Sequence, residues 1–260
     1  MQIPSVLPSG SPLLQSLRSF LTIMKSSSQR LEPKKVLSCL GSHISKTRRS
    51  SFKPNTDQDV PEILGYVLDE LMSCPSLPSY HISTVIKEST SCGTCQATIN
   101  TEFSCNILRI PATAFVSTGI SNVFDTKQID GNGAWLCNVC GCEREAIQET
   151  SIANAPFNLI IQVQRFVRVG PEQHIRNNVV VTPCKNVTLK VSDGSVLCYQ
   201  LVAVIHHSGS MNSGHYWVKT LDRSSNKWFN CNDLAITEAK LSPSKTSSVL
   251  FYIMNQLSVS

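Results

Sequence analysis

No stretch of this 260-residue chain approaches the ~18 consecutive apolar residues that a membrane-crossing helix needs; the densest runs, such as residues 201–205, are only strand-length. No basic leader precedes the first apolar segment, and Ser, Gln and Arg18 interrupt that segment. The amino terminus therefore does not read as an export signal, and the expected address is the cytoplasm, the nucleus or both. Acidic residues are scarce in residues 1–56, where nine Lys or Arg face Glu32 alone. That segment carries +8 of a net +5, leaving −3 for the remainder. Aromatic residues are scarce there too, only Phe20 and Phe52. The basic stretch thus reads as a solvated face rather than a nucleic-acid surface, which would need stacking platforms. The chain contains no internal repeat. Its eleven cysteines are an odd number in a chain with no export signal, which argues against a disulfide framework. Charged residues make up only 16% and hydrophobic ones 41%, excluding wholesale disorder. The length suits one large domain or two small ones.

Helical spacing comes first along the chain. Leu13, Leu14, Leu17, Phe20, Leu21 and Met24 predict a helix over 11–25, with Ser11 as N-cap and Pro12 at its first position. A short helical turn is expected around Val36, Leu37 and Leu40, holding Cys39 in a core role, and an exposed loop over 41–56. Val60, Ile63, Leu64, Val67, Leu68 and Leu71 predict a second helix over 59–72, with Asp59 as cap and Glu62 favoured by the helix dipole. After Pro78 the sequence turns to Val, Ile, Thr and Phe in short runs. Strands are expected at 83–90, 96–100, 103–110, 158–166, 178–181, 187–191, 198–206, 215–220, 227–230 and 248–254. Turn signals stand at 130–133, 193–194 and 223–226. Helices first and strands later give an α+β class.

Two cysteine pairs share one spacing, Cys92-Gly93-Thr94-Cys95 and Cys137-Asn138-Val139-Cys140. A two-residue spacer lets each pair grip one metal ion from a tight knuckle, and two pairs close a tetrahedral four-thiolate zinc site. Gly93 and Gly141 are expected to supply turn freedom. A redox pair would need a βαβ context, which is lacking. Four thiolates leave no open position for water, so the expected zinc is structural rather than catalytic. Cys142 reads as packing.

A strand over 199–206 runs into His207-Ser208-Gly209, Gly214-His215-Tyr216 opens the next, and Asn232-Asp233 closes a third. Adjacent antiparallel strands can bring His215 alongside Asn232. An amide or carboxylate there would fix the imidazole tautomer, the orienting role in a Cys-His-Asn arrangement. A lone histidine at a strand start also fits a purely structural role; the flanking pattern decides between the two.

That pattern resembles the ubiquitin-specific proteases, papain-like deubiquitinating cysteine isopeptidases. Residues 13–17 resemble the tail of the family's cysteine box, and residues 57–64 its Gln-Gln-Asp-Ala-x-Glu-Phe-Leu helix start. The Cys pairs resemble its fingers zinc site. Residues 155–166 resemble its Pro-x-x-Leu-x-x-x-Leu-x-Arg-Phe strand, residues 199–216 its histidine box, and residues 228–233 the closing strand. The blocks fall in family order from residue 12 to about 254. The resemblance implies a thumb, fingers and palm architecture: an unstructured start over 1–10, a helical thumb remnant over 11–80, zinc-bearing fingers over 81–150, and a β-rich palm over 151–257. It implies His215, Asn232 and Asp233 as catalytic residues. Asp59, Glu62, His207 and Tyr216 are implied as contacts for the ubiquitin tail, and Cys92, Cys95, Cys137 and Cys140 as ligands of a structural Zn2+. Ubiquitin or ubiquitinated proteins are the implied partners, with neither nucleic acid nor membrane expected.

One block departs from the family. The nucleophilic cysteine belongs about two helical turns before Gln15, a register that falls on Pro8, and no cysteine precedes Cys39. The thumb is then incomplete and the chain alone is expected to be inactive, since a histidine cannot replace a thiolate nucleophile. Three readings stay open: a truncated piece of a thiol isopeptidase, a pseudo-enzyme that binds ubiquitin without cleaving it, or a nucleic-acid-binding zinc ribbon with a basic arm. Cys231, where the family commonly has an aromatic, is expected to be a half-buried strand residue.

Overall fold

The computed structural model describes residues 11–27, 31–46, 58–74, 78, 81–131, 134–170, 173–211 and 213–255. Residue 8 and most of the 41–56 segment lie outside them. The chain divides into two units, residues 1–81 and 82–260.

The first unit holds three helices, α1 (Pro12–Ser26), α2 (Lys34–Lys46) and α3 (Val60–Met72). Proline starts α1 and α3 where a missing N–H costs nothing. Ser11 and Asp59 stand at the N-cap positions with extended backbone, but neither side chain makes the capping hydrogen bond expected of it. Helix α2 is longer than the short turn expected and runs into the segment read as loop. Ile44 extends its apolar stripe beyond Gly41, one turn after Leu40, and both are buried with Leu13 and Tyr66. Leu17, Val36, Ile63, Val67 and the half-buried Cys39 pack around this cluster, so Cys39 has the core role expected. Each fully buried Leu or Ile contributes about 2 kcal/mol.

The second unit is mostly sheet. β1 (Thr84–Cys92) and β2 (Thr98–Cys105) form a hairpin, followed by β3 (Leu108–Pro111) and the helix α4 (Val116–Val123). Then come β4 (Lys127–Ile129), the short hairpin β5 (Trp135–Cys137) and β6 (Cys142–Arg144), and β7 (Ala146–Asn154). β8 (Asn158–Gln164) leads into the hairpin β9 (Phe166–Arg168) and β10 (His174–Arg176). The rest is β11 (Asn186–Lys190), β12 (Val196–Gly209), β13 (Gly214–Asp222), β14 (Lys227–Asn232), β15 (Ala235–Ala239) and β16 (Ser247–Met254). One sheet runs β2-β1-β7-β4 and is antiparallel throughout. The larger runs β15-β14-β13-β12-β16-β8-β3, with β11 also on β12; β3 lies parallel to β8 and every other pair is antiparallel.

Burial follows position in the larger sheet. The interior strand β8 buries Leu159, Ile160, Ile161 and Val163 in near-continuous succession, and β16 buries Val249, Leu250 and Tyr252. Both faces of such strands are covered, so alternation disappears. Tyr199, fully buried, sends its hydroxyl to the Pro156 carbonyl at 2.7 Å. The expected strand over 178–181 does not form. Val181 makes only an isolated bridge to Ser244, and the neighbouring carbonyls of Asn177 and Val179 accept hydrogen bonds from Arg165 instead. The expected strand over 158–166 breaks at Arg165, whose side chain is buried. Helix α4 and strands β4, β5, β6, β7, β10 and β15 have no counterpart among the elements expected from the sequence.

Candidate active site and metal centre

Three consecutive strands bring the candidate residues to one end of the large sheet. β12 ends at His207, Ser208 and Gly209, and pairs with the start of β13, with Ser208 opposite His215 and His207 opposite Tyr216. β14 returns beside β13 and ends at Asn232. His215 Nε2 lies 2.6 Å from Asn232 Oδ1. An amide oxygen only accepts, so Nε2 carries the proton and the lone pair stays on Nδ1. Asp233, at φ +50° in the following turn, places a carboxylate oxygen 3.9 Å from the same Nε2. His215 is half exposed, with 48% of its side chain open to solvent. The structure thus joins His215, Asn232 and Asp233 as one group.

His207 sits behind this group and is buried. Its ring stacks on Tyr216 at 4.4 Å between centroids. Arg176, from the β9–β10 hairpin, donates to His207 Nδ1 at 3.2 Å, to the His207 carbonyl at 2.6 Å and to the Gly209 carbonyl at 3.0 Å. Its guanidinium also lies 5.4 Å from the centre of the Phe166 ring. Burial and then the Arg176 charge push the His207 pKa down. Gly214 is required here: a Cβ at this position would collide with His207 Nε2 and the Ser208 carbonyl.

Arg165 is buried and spends its guanidinium on main-chain carbonyls: Ser247 at 2.8 Å, Val179 at 2.6 Å, Ser244 at 3.2 Å and Asn177 at 3.4 Å. Burial, with Arg176 nearby, pushes its pKa down to about 10, which leaves it cationic at neutral pH. Neither Arg176 nor His206 was singled out from the sequence. A lone arginine at the end of a three-residue hairpin strand carries no local signal, and His206 reads as one more strand residue.

Asp59 and Glu62 belong to the first unit, at the start of α3. Tyr66 donates its hydroxyl to Glu62, one turn back along α3.

The four knuckle cysteines converge. Their sulfur atoms all lie within 4.8 Å of one another, with Cys95–Cys137 at 3.6 Å and Cys92–Cys140 at 4.0 Å. Zn–S bonds of ~2.3 Å in a tetrahedron require S–S separations of about 3.8 Å, so the set fits a structural zinc. The Thr94 and Cys140 N–H groups each point at a knuckle sulfur at 3.4 Å. Backbone N–H donors, that of Cys95 foremost, pull the Cys92 thiol down to about 6, whereas crowding by the other sulfurs, Cys95 first, pushes Cys140 up to about 12. Four thiols packed this closely ionise together only around a cation. Gly141 adopts φ +68° in the second knuckle, as expected. Gly93 does not use positive φ; its small size keeps a Cβ off the Glu145 carbonyl. Cys142 turns its thiol to the Cys140 carbonyl at 3.4 Å, outside the group.

Helices followed by this sheet, with an imidazole–amide pair at its end, make the papain-like cysteine-protease fold. Among solved structures the chain is similar to one described as the SAGA Ubp8/Sgf11/Sus1/Sgf73 DUB module bound to ubiquitin aldehyde. The TM-score is 0.74 at 17% identity, over 94% of this chain and 59% of the other, a likeness of fold. The family model for ubiquitin carboxyl-terminal hydrolase matches residues 5–252, and the chain belongs to that family. Relatives include ubiquitin carboxyl-terminal hydrolase 25 of Arabidopsis thaliana, 27% identical over 244 residues, 85% of this chain and 36% of the relative. Another is probable ubiquitin carboxyl-terminal hydrolase 1 of Schizosaccharomyces pombe, 32% identical over 48% of this chain and 17% of the relative. The chain therefore spans about a third or less of the length of these relatives. Among the described residues, no helix is long and apolar enough to cross a membrane.

Proposed function

We propose that this chain is a ubiquitin-binding deubiquitinase domain that carries the base half of a thiol isopeptidase centre. In this reading His215 accepts the thiol proton and later returns it to the leaving amine, while Asn232 holds the ring and Asp233 adds negative potential beside it. Residues 11–80 act as thumb, 81–150 as zinc-bearing fingers and 151–257 as palm. Asp59 and Glu62 receive the basic carboxyl tail of ubiquitin through charge-assisted hydrogen bonds, and Tyr216, backed by His207, lines its path.

The observation that carries this is the 2.6 Å His215–Asn232 contact on neighbouring strands of a chain that belongs to the family. A preformed imidazole–amide pair is what a thiolate needs beside it, and these 260 residues offer no cysteine before Cys39. The activity of the chain as it stands is therefore capture of ubiquitin without turnover.

The test uses the 260-residue protein with ubiquitin resin and a fluorogenic ubiquitin amide. Ubiquitin is retained, the amide is not hydrolysed, and His215→Ala changes neither result. Failure to retain ubiquitin would remove the functional reading. Robust turnover, abolished by His215→Ala, would reveal a nucleophile within the chain, and Cys39→Ser would be the first variant to make.

A further inference from the structure

A single hydrogen bond does not hold an imidazole still. The ring of His215 meets Asn232 at one atom and is half exposed, so it is free to swing about that contact unless a second surface stops it. The second surface is Trp217. It lies two residues along β13, hence on the same face of the strand. The two ring planes are nearly parallel, 19° apart, with centroids 6.0 Å apart.

The indole is itself held by a second ring. His206 is the direct cross-strand partner of Trp217 on β12, and its ring stacks on the indole at 5.3 Å and 9°. His206 is fixed in turn by the contact of its Nδ1 with Thr246 Oγ1 at 3.0 Å, and Thr246 Oγ1 lies 2.6 Å from Ser244 Oγ. His206 is only 2% exposed. Three nearly parallel flat rings are therefore linked in pairs: a buried, anchored imidazole, an indole and the exposed imidazole of the site.

We propose that Trp217, backed by His206, is a positioning residue for His215: the indole face sets the plane of the imidazole so that Nε2 meets Asn232 Oδ1. The inference rests on the reading of His215 as the general base. Trp217 touches no reacting atom in this account and acts only through the ring beside it. Stacking between aromatic rings shifts an equilibrium by about three- to tenfold, enough to make one ring orientation dominant. Phenylalanine retains a flat face at this position; valine does not.

The test is NMR on the 260-residue protein, labelled in its histidine rings. The His215 Nε2–H proton exchanges slowly only while Asn232 shields it, and ring carbon relaxation reports how freely the imidazole moves. Wild type and Trp217→Phe show a protected Nε2–H and a restricted ring. Trp217→Val exchanges that proton about three- to tenfold faster and has a more mobile ring, with the backbone spectrum of distant strands unchanged. Asn232→Ala loses the protection but keeps the ring restricted, because the stack remains. If Trp217→Val loses its fold, Trp217→Leu keeps bulk without a flat face and carries the same expectation. A folded Trp217→Val or Trp217→Leu with wild-type exchange and wild-type ring motion would overturn the proposal. Failure to capture ubiquitin would defeat the functional reading and leave these spectra as they are.

Discussion

Arg176 and His207 are locked together by two hydrogen bonds from one guanidinium, to the ring Nδ1 at 3.2 Å and to the carbonyl of the same residue at 2.6 Å. Arginine only donates, so Nδ1 of His207 is an acceptor and its ring is neutral. A proton added there would face a fixed positive charge. The adjacent His206 is kept neutral by burial, which pushes its pKa down to about 4, ahead of the Lys219 and Arg165 charges. His206, His207 and His215 stand at this end of the sheet, and His215 is the exposed one, with Asn232 as its polar partner. That contrast supports the proposed role of His215.

Arg176 also joins the β9–β10 hairpin to the end of β12. Arg176→Met removes three hydrogen bonds and leaves two carbonyls and a ring nitrogen to find other partners, at a cost of about 2–3 kcal/mol. Arg176→Lys recovers less than half of that, since an ammonium lacks the planar fork that reaches all three acceptors. Urea denaturation of the two variants measures both costs. Equal stability of Arg176→Lys and wild type would contradict the fork geometry.

His206 gives stability a pH dependence with a definite sign. Its ordinary pKa of 6.5 applies to the unfolded chain, and its folded value is about 4. Between these the unfolded chain takes up a proton that the folded one refuses. Stability is complete above about pH 6.5 and falls as pH drops towards 4, by at most about 1.4 kcal/mol per pH unit for this group. His207, also pushed down, adds a slope of the same sign. His206→Phe keeps a ring on Trp217 and removes the His206 share, so thermal melts from pH 7 to 4.5 flatten relative to wild type.

One zinc per chain is expected in purified protein by metal analysis. Cys137→Ser, or a strong chelator, removes it and lowers the melting temperature by about 10 °C or more. The sulfur of Cys142 lies outside the group, so Cys142→Ser keeps the metal and melts within about 2 °C of wild type.

Asp59 separates binding from folding. It occupies the N-cap position of α3 without making the capping bond. Asn suits an N-cap position as well as Asp does, so Asp59→Asn changes stability by less than about 0.5 kcal/mol. Loss of a charge-assisted contact with the ubiquitin tail weakens binding about tenfold or more. Calorimetric titration with ubiquitin, beside a thermal melt, reads both numbers; unchanged affinity in a folded variant removes Asp59 from the tail contacts.

What was legible in the sequence had local spacing behind it. The stripes of α1 and α3 gave their bounds within a residue or two, and the C-x2-C pairs announced the metal centre because one knuckle is encoded in four residues. His215 and Asn232 were legible because two short turns set the register of β12, β13 and β14. Side chains that reach across the fold were not. Arg165 breaks a strand and prevents another by drawing the Asn177 and Val179 carbonyls to itself, which the run of Val residues at 179–181 does not reveal. Helix α2 outran its expected end because Ile44 finds Leu13 and Tyr66, a tertiary contact that propensity does not contain. The stack of His206 on Trp217 depends on which residues face each other across two strands, and a β-bulge in the pairing of β12 with β16 lies at that very point.

The two knuckles are far apart along the chain. Cys95 follows β1 and Cys137 ends β5, 42 positions later, and between them lie β2, β3, α4 and β4. β3 is the terminal strand of the large sheet and its parallel partner β8 comes only after the second knuckle. A metal clip at this point closes a loop around that strand. In an unfolded chain, closing a loop of this length removes conformational freedom worth about 4 kcal/mol by the cross-link formula. The metal thus acts on the folding of the sheet that carries His215 by shortening the search for the parallel pairing of β3 with β8.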